Sequence, residues 1–203
     1  MDDPGFVVGD GAFTTTVVRA GRVFALARHL ARLRDNLVRL GVAAPPEQEL
    51  TEAVESLLRT DAVTDAKLRV SVSAGFGGRP TVVVAHFPPS PQPDTAVVIT
   101  LPWRRHEHSP LAGVKSLSFG EWAVGHRQVL AAGADEGLIA NTAGDLCEGV
   151  GSNVFVVLDG VLCTPPLVSG CLAGVARAIV GEVMDVRETP CRSRCWTRSA
   201  RLF

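Results

Sequence analysis

The stretch Gly9-Asp10-Gly11-Ala12-Phe13-Thr14-Thr15-Thr16-Val17-Val18 decides how the first part of this chain folds. Its first three residues favour a turn, and the β-branched and apolar residues that follow predict a strand over residues 12–18. Ala20-Gly21 then turns the chain, and residues 22–26 are predicted to return as the second strand of a hairpin. A β-sheet is therefore expected in this part of the chain.

Two amphipathic helices are predicted after the hairpin. Leucines at positions 26, 30, 33, 37 and 40 recur at intervals of three and four, which predicts one helix that ends at Gly41. A second helix is predicted over residues 47–59. Strands predicted over residues 68–74 and 81–87 flank a glycine-rich connection at 75–79. This part of the chain is therefore predicted to be an α+β unit.

A proline-rich segment divides the sequence. Residues 88–94 contain four prolines and show no hydrophobic periodicity, which is typical of a linker. We therefore expect two domains, over residues 1–88 and 95–203. The elements predicted in the second domain are strands at 96–101 and 136–141, helices at 121–132 and 172–184, and a hairpin at 153–164 across Asp159-Gly160.

The composition of the 203 residues argues against several classes of protein. Apolar residues make up 46% of the chain, enough for a core without disulfides. The formal net charge is −1, so no overall positive charge attracts nucleic acid or a membrane surface. We expect a cytoplasmic protein, because neither a signal peptide nor a long apolar run is evident. No metal centre is expected, since Cys191 and Cys195 lack a second cysteine pair.

Two residues and one loop are candidates for chemistry. Lys115, one of two lysines, lies in an apolar segment where desolvation would lower its pKa, as a nucleophilic amine requires. Glu148 lies between apolar residues and glycines, which favours a buried carboxylate. The glycines and polar residues at 149–153 are typical of an anion-binding loop. Taken singly, each signal also suits a structural role, and Arg32 suits a solvated helix surface.

Six motifs occur in order along the chain, at residues 9–15, 29–33, 114–117, 148–155, 164–166 and 172–177. Through them the sequence resembles the fold type IV pyridoxal phosphate enzymes, which include branched-chain and D-amino-acid aminotransferases and aminodeoxychorismate lyase. The resemblance covers about residues 5–182. It implies a small amino-terminal α/β domain and a larger α/β pseudo-barrel domain, shortened at both ends here, in a homodimer.

The resemblance also implies roles for individual residues. Lys115 would bind pyridoxal 5'-phosphate covalently and later move a proton, while Glu148 would face the pyridine nitrogen. Arg32 would hold the cofactor phosphate. The further phosphate contacts that the resemblance implies come from Ser152, Asn153 and the backbone at Val175 and Ala176. Residues 197–200 resemble a remnant of a later phosphate-binding segment of the family.

The residues Phe13-Thr14-Thr15 resemble aminodeoxychorismate lyases more than aminotransferases. This favours conversion of 4-amino-4-deoxychorismate to 4-aminobenzoate and pyruvate, a step of folate biosynthesis, with Thr15 relaying a proton. Arg79 and Arg105 would bind the anionic substrate. The chain has no tyrosine, so the family's usual tyrosine after the lysine is missing, and Phe119 stands nearby. Two alternatives stay open: an aminotransferase acting on branched-chain or D-amino acids, and a shortened homologue without catalytic activity.

Overall fold

A computed structural model describes residues 2–89 and 94–192 of the chain. These residues form two compact units, one comprising residues 2–89 and 114–119 and the other residues 94–113 and 120–192. Residues 114–119, which the sequence analysis assigned to the second domain, therefore belong to the first unit. Part of the predicted linker, the predicted remnant at 197–200 and Cys195 lie outside the described residues.

The first unit is a four-stranded antiparallel sheet with two long helices on one face. Strand order in the sheet is β2-β1-β3-β4. A short helix precedes the first strand, and its cap residue Asp3 accepts a hydrogen bond from Gly5 N. The elements are α1 (Pro4–Val7), β1 (Gly11–Arg19), β2 (Arg22–Val23), α2 (Leu26–Leu40), α3 (Glu47–Thr60), β3 (Ala66–Phe76) and β4 (Arg79–Phe87).

The two faces of this sheet have different surroundings. Side chains alternate along a strand, so Ala12 and Val18 of β1 point to the face that packs against α2 and α3. The predicted leucine stripe of α2 supplies Leu30, Leu33 and Leu37 to this core. Phe13 and Thr15 point to the opposite face, where the strand register aligns them with Ser71 and Arg69 of β3. One face is therefore the core, and the other is available for polar side chains.

Residues 114–119 join the first unit because they pair with β1. Phe13 N donates to Lys115 O over 2.9 Å, and Leu117 N donates to Gly11 O over 2.9 Å. Gly11 is required here: its φ is +146°, and a Cβ at this position would collide with Val72 O. The backbone pairing places Lys115 beside Phe13.

The second unit contains two three-stranded sheets, ordered β5-β6-β7 and β10-β9-β8. Each combines one parallel and one antiparallel strand pair. Within the described part of the chain, no helix is long and apolar enough to cross a membrane. The elements are β5 (Val98–Arg105), α4 (Gly120–Ala131), β6 (Glu136–Asn141), β7 (Leu146–Gly149), β8 (Val156–Leu158), β9 (Val161–Thr164), a 3-10 turn (Leu167–Ser169), α5 (Val175–Val183) and β10 (Arg187–Glu188).

Most predicted elements are present, and the differences have local causes. The strand predicted over residues 22–26 ends at Val23, because α2 already begins at Leu26. The helix predicted from residue 172 begins at Val175, because Leu172 N donates to Glu148 and Gly174 occupies the N-cap. The predicted hairpin turn is confirmed, with φ of +49° at Asp159 and +79° at Gly160. Strand β7 was not predicted.

Candidate functional site

The amine of Lys115 lies against two aromatic rings. Its Nζ is 4.9 Å from the centroid of the Phe13 ring and 5.6 Å from that of Phe119. The two rings meet edge to face, with centroids 5.1 Å apart. Lys115 is partly buried, as its apolar sequence surroundings predict. The rings keep part of the bulk water away from the amine and leave it a π surface as a neighbour.

Arg69 shares the Phe13 ring with Lys115 and was not identified in the sequence analysis. Its guanidinium carbon is 3.6 Å from the ring centroid, and its Nε donates to Ser71 Oγ over 3.0 Å. Burial lowers the pKa of the Arg69 guanidinium, which nevertheless stays charged. An arginine in a strand that alternates polar and apolar residues is typical of a solvated face, so no local pattern indicated that Arg69 would contact Phe13.

Arg32, Thr14 and His29 form a chain of polar contacts in the first unit. Arg32 Nη2 donates to Thr14 Oγ1 over 2.9 Å, and the same oxygen lies 2.9 Å from His29 Nδ1. Burial, together with the positive charges of Arg32 and Lys115, lowers the pKa of His29 to about 4. His29 is therefore neutral near pH 7. Burial also lowers the pKa of Arg32.

The two threonines of the first motif lie on opposite faces of β1. Thr14 points to the helix-covered face and contacts Arg32 and His29. Thr15, the predicted proton relay, is partly buried on the other face and is aligned with Arg69. The motif alone did not distinguish them, because which face α2 covers is a tertiary property. The role predicted for Thr15 stays a prediction.

In the second unit, Glu148 lies in strand β7, an element that the sequence did not predict. Its side chain is buried, with 5% of its surface exposed, and its Oε2 accepts a hydrogen bond from Leu172 N over 3.0 Å. Cys147 and Cys171 are the chain neighbours of these two residues. Burial, with the nearby Glu148 charge, raises the pKa of Cys147, so this thiol stays protonated.

The loop predicted to bind an anion does so, but the anion belongs to the protein. The Glu136 carboxylate accepts from Val150 N over 3.0 Å, Gly151 N over 3.2 Å and Ser152 Oγ over 2.7 Å. The hydroxyl of Ser152 is thus used by Glu136. Glycine and serine expose backbone amides to any anion. The sequence did not reveal that the anion bound here is the Glu136 carboxylate of β6.

The remaining predicted phosphate contacts lie at the start of α5. Asn153 Nδ2 donates to Leu172 O over 2.8 Å and so fixes the segment before this helix. A Cβ at Gly174 would collide with Asn153 Oδ1, which explains a glycine at the N-cap. Gly174 provides no side-chain cap to α5. The first N–H groups, including those of the buried Val175 and the exposed Ala176, suit an anion.

The two arginines predicted to bind substrate differ in their surroundings. Arg105 is buried: it donates to Glu121 Oε2 over 3.2 Å and to Leu111 O over 3.3 Å, and its guanidinium carbon lies 4.9 Å from the centroid of the Trp122 ring. These contacts give it a structural role within the second unit. Arg79 is exposed at the turn between β3 and β4. The predicted substrate contact of each residue stays a prediction.

Residues 11–199 match the family described as Amino-transferase class IV. The chain is 33% identical to the "Putative branched-chain-amino-acid aminotransferase" of Methanocaldococcus jannaschii, over 93% of this chain and 72% of that protein. It is 28% identical to the aminodeoxychorismate lyase of Bacillus subtilis, over 89% of this chain and 66% of that enzyme.

A solved structure supports the fold. The structure of "A hypothetical aminotransferase from Mycobacterium tuberculosis, PLP-bound form" superposes with a TM-score of 0.87 at 28% sequence identity, over all of this chain and 80% of that one. The predicted α/β fold is therefore confirmed. The chain spans 61–72% of the lengths of the curated relatives that it matches.

Proposed function

Because the chain belongs to the class IV aminotransferase family, whose fold type IV members use pyridoxal phosphate, we propose that it transfers the amino group of an aliphatic, branched-chain amino acid to a 2-oxo acid. One observation carries the proposal: Lys115 and Arg69 lie over the same Phe13 ring. An amino acid carries its amine and its carboxylate on one carbon, and that carbon loses a proton in the reaction. The Arg69 guanidinium suits the carboxylate, and the neighbouring Lys115 amine suits the proton.

Pyridoxal phosphate is the cofactor of this family, and residues of this chain fit its three functional parts. The Lys115 amine suits an aldehyde, the partly buried Arg32 guanidinium suits a phosphate, and the buried Glu148 carboxylate suits a protonated pyridine nitrogen. The N–H groups at the start of α5 are further phosphate donors. When bound, the cofactor supplies an electron-accepting ring that stabilises negative charge at the substrate α-carbon.

The chain's own residues then have distinct tasks. Arg69 binds the substrate carboxylate and thereby orients the proton on the α-carbon. Lys115 Nζ accepts that proton and holds it for the next step. Phe13 and Phe119 limit the access of water to Nζ, which reduces proton loss to solvent.

A second candidate function is the aminodeoxychorismate lyase activity that the first motif favours. Its support is the sequence Phe13-Thr14-Thr15 and the similarity to the Bacillus subtilis lyase. Both reactions begin when Lys115 removes a proton from an amine-bearing carbon. They differ in the next event, since the lyase releases pyruvate and an aminotransferase requires a 2-oxo acid acceptor.

The two activities are separated by supplying one substrate at a time. The protein, loaded with pyridoxal phosphate, is incubated with leucine, isoleucine, valine or D-alanine plus 2-oxoglutarate, and separately with aminodeoxychorismate. We expect glutamate to form from the branched-chain amino acids only when 2-oxoglutarate is present. Release of 4-aminobenzoate without an acceptor would favour the lyase, and absence of both products would reject both proposals.

A further inference from the structure

We propose that Thr14 and His29 are positioning residues that hold the Arg32 guanidinium in the orientation that binds the cofactor phosphate. The inference rests on the proposed function, in which Arg32 is the phosphate ligand. It adds two residues that act through Arg32.

The hydrogen-bond chemistry allows one arrangement near neutral pH. A guanidinium only donates, so Thr14 Oγ1 accepts from Arg32 Nη2. The hydroxyl proton of Thr14 is then directed at His29 Nδ1, 2.9 Å away, which accepts it. The neutral imidazole therefore carries its proton on Nε2, as assigned from this network. The two hydrogen bonds of this network therefore run in one direction, from Arg32 through Thr14 to His29.

The local structure makes this network of Arg32, Thr14 and His29 rigid. Thr14 is 1% exposed and His29 is 7% exposed, so water does not readily replace either partner. Thr14 lies in the middle of β1, which pairs with β3 along residues 11–18. His29 and Arg32 are three residues apart in α2 and therefore lie on one side of that helix. The strand thus fixes the end of a long, flexible side chain that the helix supplies.

This arrangement lowers the entropy that Arg32 loses when it binds an anion. Its guanidinium is already ordered by Thr14, and Thr14 is ordered by His29. If the inference is correct, losing the Thr14 hydroxyl weakens the grip on the phosphate and leaves contacts to the rest of the cofactor unchanged.

The test compares pyridoxal phosphate with pyridoxal, which lacks the phosphate, in spectroscopic titrations of the full chain. Thr14→Val keeps the shape of the side chain and removes its oxygen. We expect the Kd for pyridoxal phosphate to rise about tenfold, the size expected for one hydrogen bond to a charged group, with the Kd for pyridoxal unchanged. A residue that merely stabilises the fold would affect both ligands alike.

Thr16→Val is a matched control on the same strand and face. Thr16 is 7% exposed, and its Oγ1 donates to Phe24 O over 2.7 Å. The substitution removes a buried hydroxyl of the same kind without touching Arg32. We expect a lower melting temperature and unchanged affinity for both ligands.

Two conservative variants keep the test decisive if Thr14→Val folds poorly. Thr14→Ser retains the hydroxyl, and His29→Asn places an amide oxygen where Nδ1 accepts. Both are expected to bind pyridoxal phosphate like the unmodified protein. His29→Leu is expected to raise the Kd for pyridoxal phosphate and to leave the Kd for pyridoxal unchanged. Equal loss of both ligands in Thr14→Val and His29→Leu would overturn the inference, as would no loss in either.

Arg32→Ala separates this inference from the proposed function. If Arg32→Ala leaves the Kd for pyridoxal phosphate unchanged, the assignment of Arg32 to the phosphate is wrong, and the inference fails with it. If Arg32→Ala selectively weakens the binding of pyridoxal phosphate and Thr14→Val does not, only the positioning role of Thr14 and His29 fails.

Discussion

The two units of this protein hold their charged groups in different ways. The candidate site residues of the first unit that carry charge are the cations Lys115, Arg69 and Arg32, and side chains hold them: an aromatic ring contacts the first two and a threonine hydroxyl contacts the third. In the second unit Glu148 and Glu136 are carboxylates, and backbone N–H groups bind both of them.

The difference follows from the chemistry of the peptide group. A backbone N–H donates only to an acceptor, so it stabilises anions and does nothing for an ammonium or guanidinium. Cations need carbonyl oxygens, hydroxyls, carboxylates or π faces instead. A single side-chain substitution in the first unit should therefore affect the function of one cationic group at a time. The carboxylates depend on loop and strand geometry, so substitutions there should mainly change the free energy of unfolding.

Replacing Lys115 tests the cationic group most directly. Lys115→Ala removes the amine that binds the cofactor and moves the proton, so we expect turnover to fall by about 10⁴-fold or more, with loss of the visible absorption of the bound cofactor. Lys67→Ala changes the other lysine, at the β3 position aligned with Val17. It should keep both signals, and a Lys115→Ala protein that retained them would contradict the proposed function.

Arg69 should show a selective effect on substrate. Arg69→Ala removes the proposed carboxylate ligand, and we expect kcat/KM for amino acids to fall about 100- to 1000-fold while the Kd for pyridoxal phosphate changes little. Arg69→Lys keeps the charge and loses the two-pronged geometry, so it should recover only part of the loss. If both variants behaved like the unmodified protein, the contact of Arg69 with Phe13 and Ser71 would be structural only.

Sequence patterns were sufficient where structure is decided locally. The leucine stripe predicted α2, the strand predicted over residues 136–141 is β6, and Asp159-Gly160 predicted the tight turn. Strand β7 was missed because its four residues end in a glycine and its strand character comes from pairing with β6, which no local pattern records.

The candidate site was harder to predict than the fold because its contacts are distant in sequence. The loop over residues 149–153 was interpreted as an anion-binding element, but its bonds to the Glu136 carboxylate were not foreseen, and its predicted contact with a phosphate stays a prediction. Arg69 is one of many arginines in the chain and has no distinguishing neighbours in sequence. Lys115 was identified through resemblance, whereas its place beside Phe13 depends on backbone pairing between residues about 100 positions apart.

The buried His29 should make the first unit sensitive to acid. Its pKa is about 4 in the folded protein and about 6.5 when unfolded, so the unfolded chain binds the proton first as the pH falls. The stability present above pH 6.5 is therefore lost between pH 6.5 and 4, by up to about 3 kcal/mol. Denaturant unfolding at several pH values measures this. His29→Asn cannot titrate, and its stability should fall less over this range.

Glu136 tests whether carboxylates bound by backbone groups act mainly through stability. Glu136→Ala leaves the Gly151 amide and the Ser152 hydroxyl without the acceptor that Glu136 supplies, while Val150 N keeps its bond to Gly137 O, and we expect a loss of about 1–3 kcal/mol in the free energy of unfolding. Ser152→Ala removes one of these bonds and should lose about 1 kcal/mol or less. Because Glu148 lies just before this loop, a Glu136→Ala protein that kept its stability but lost cofactor affinity would show that the carboxylates of the second unit do not act mainly through stability.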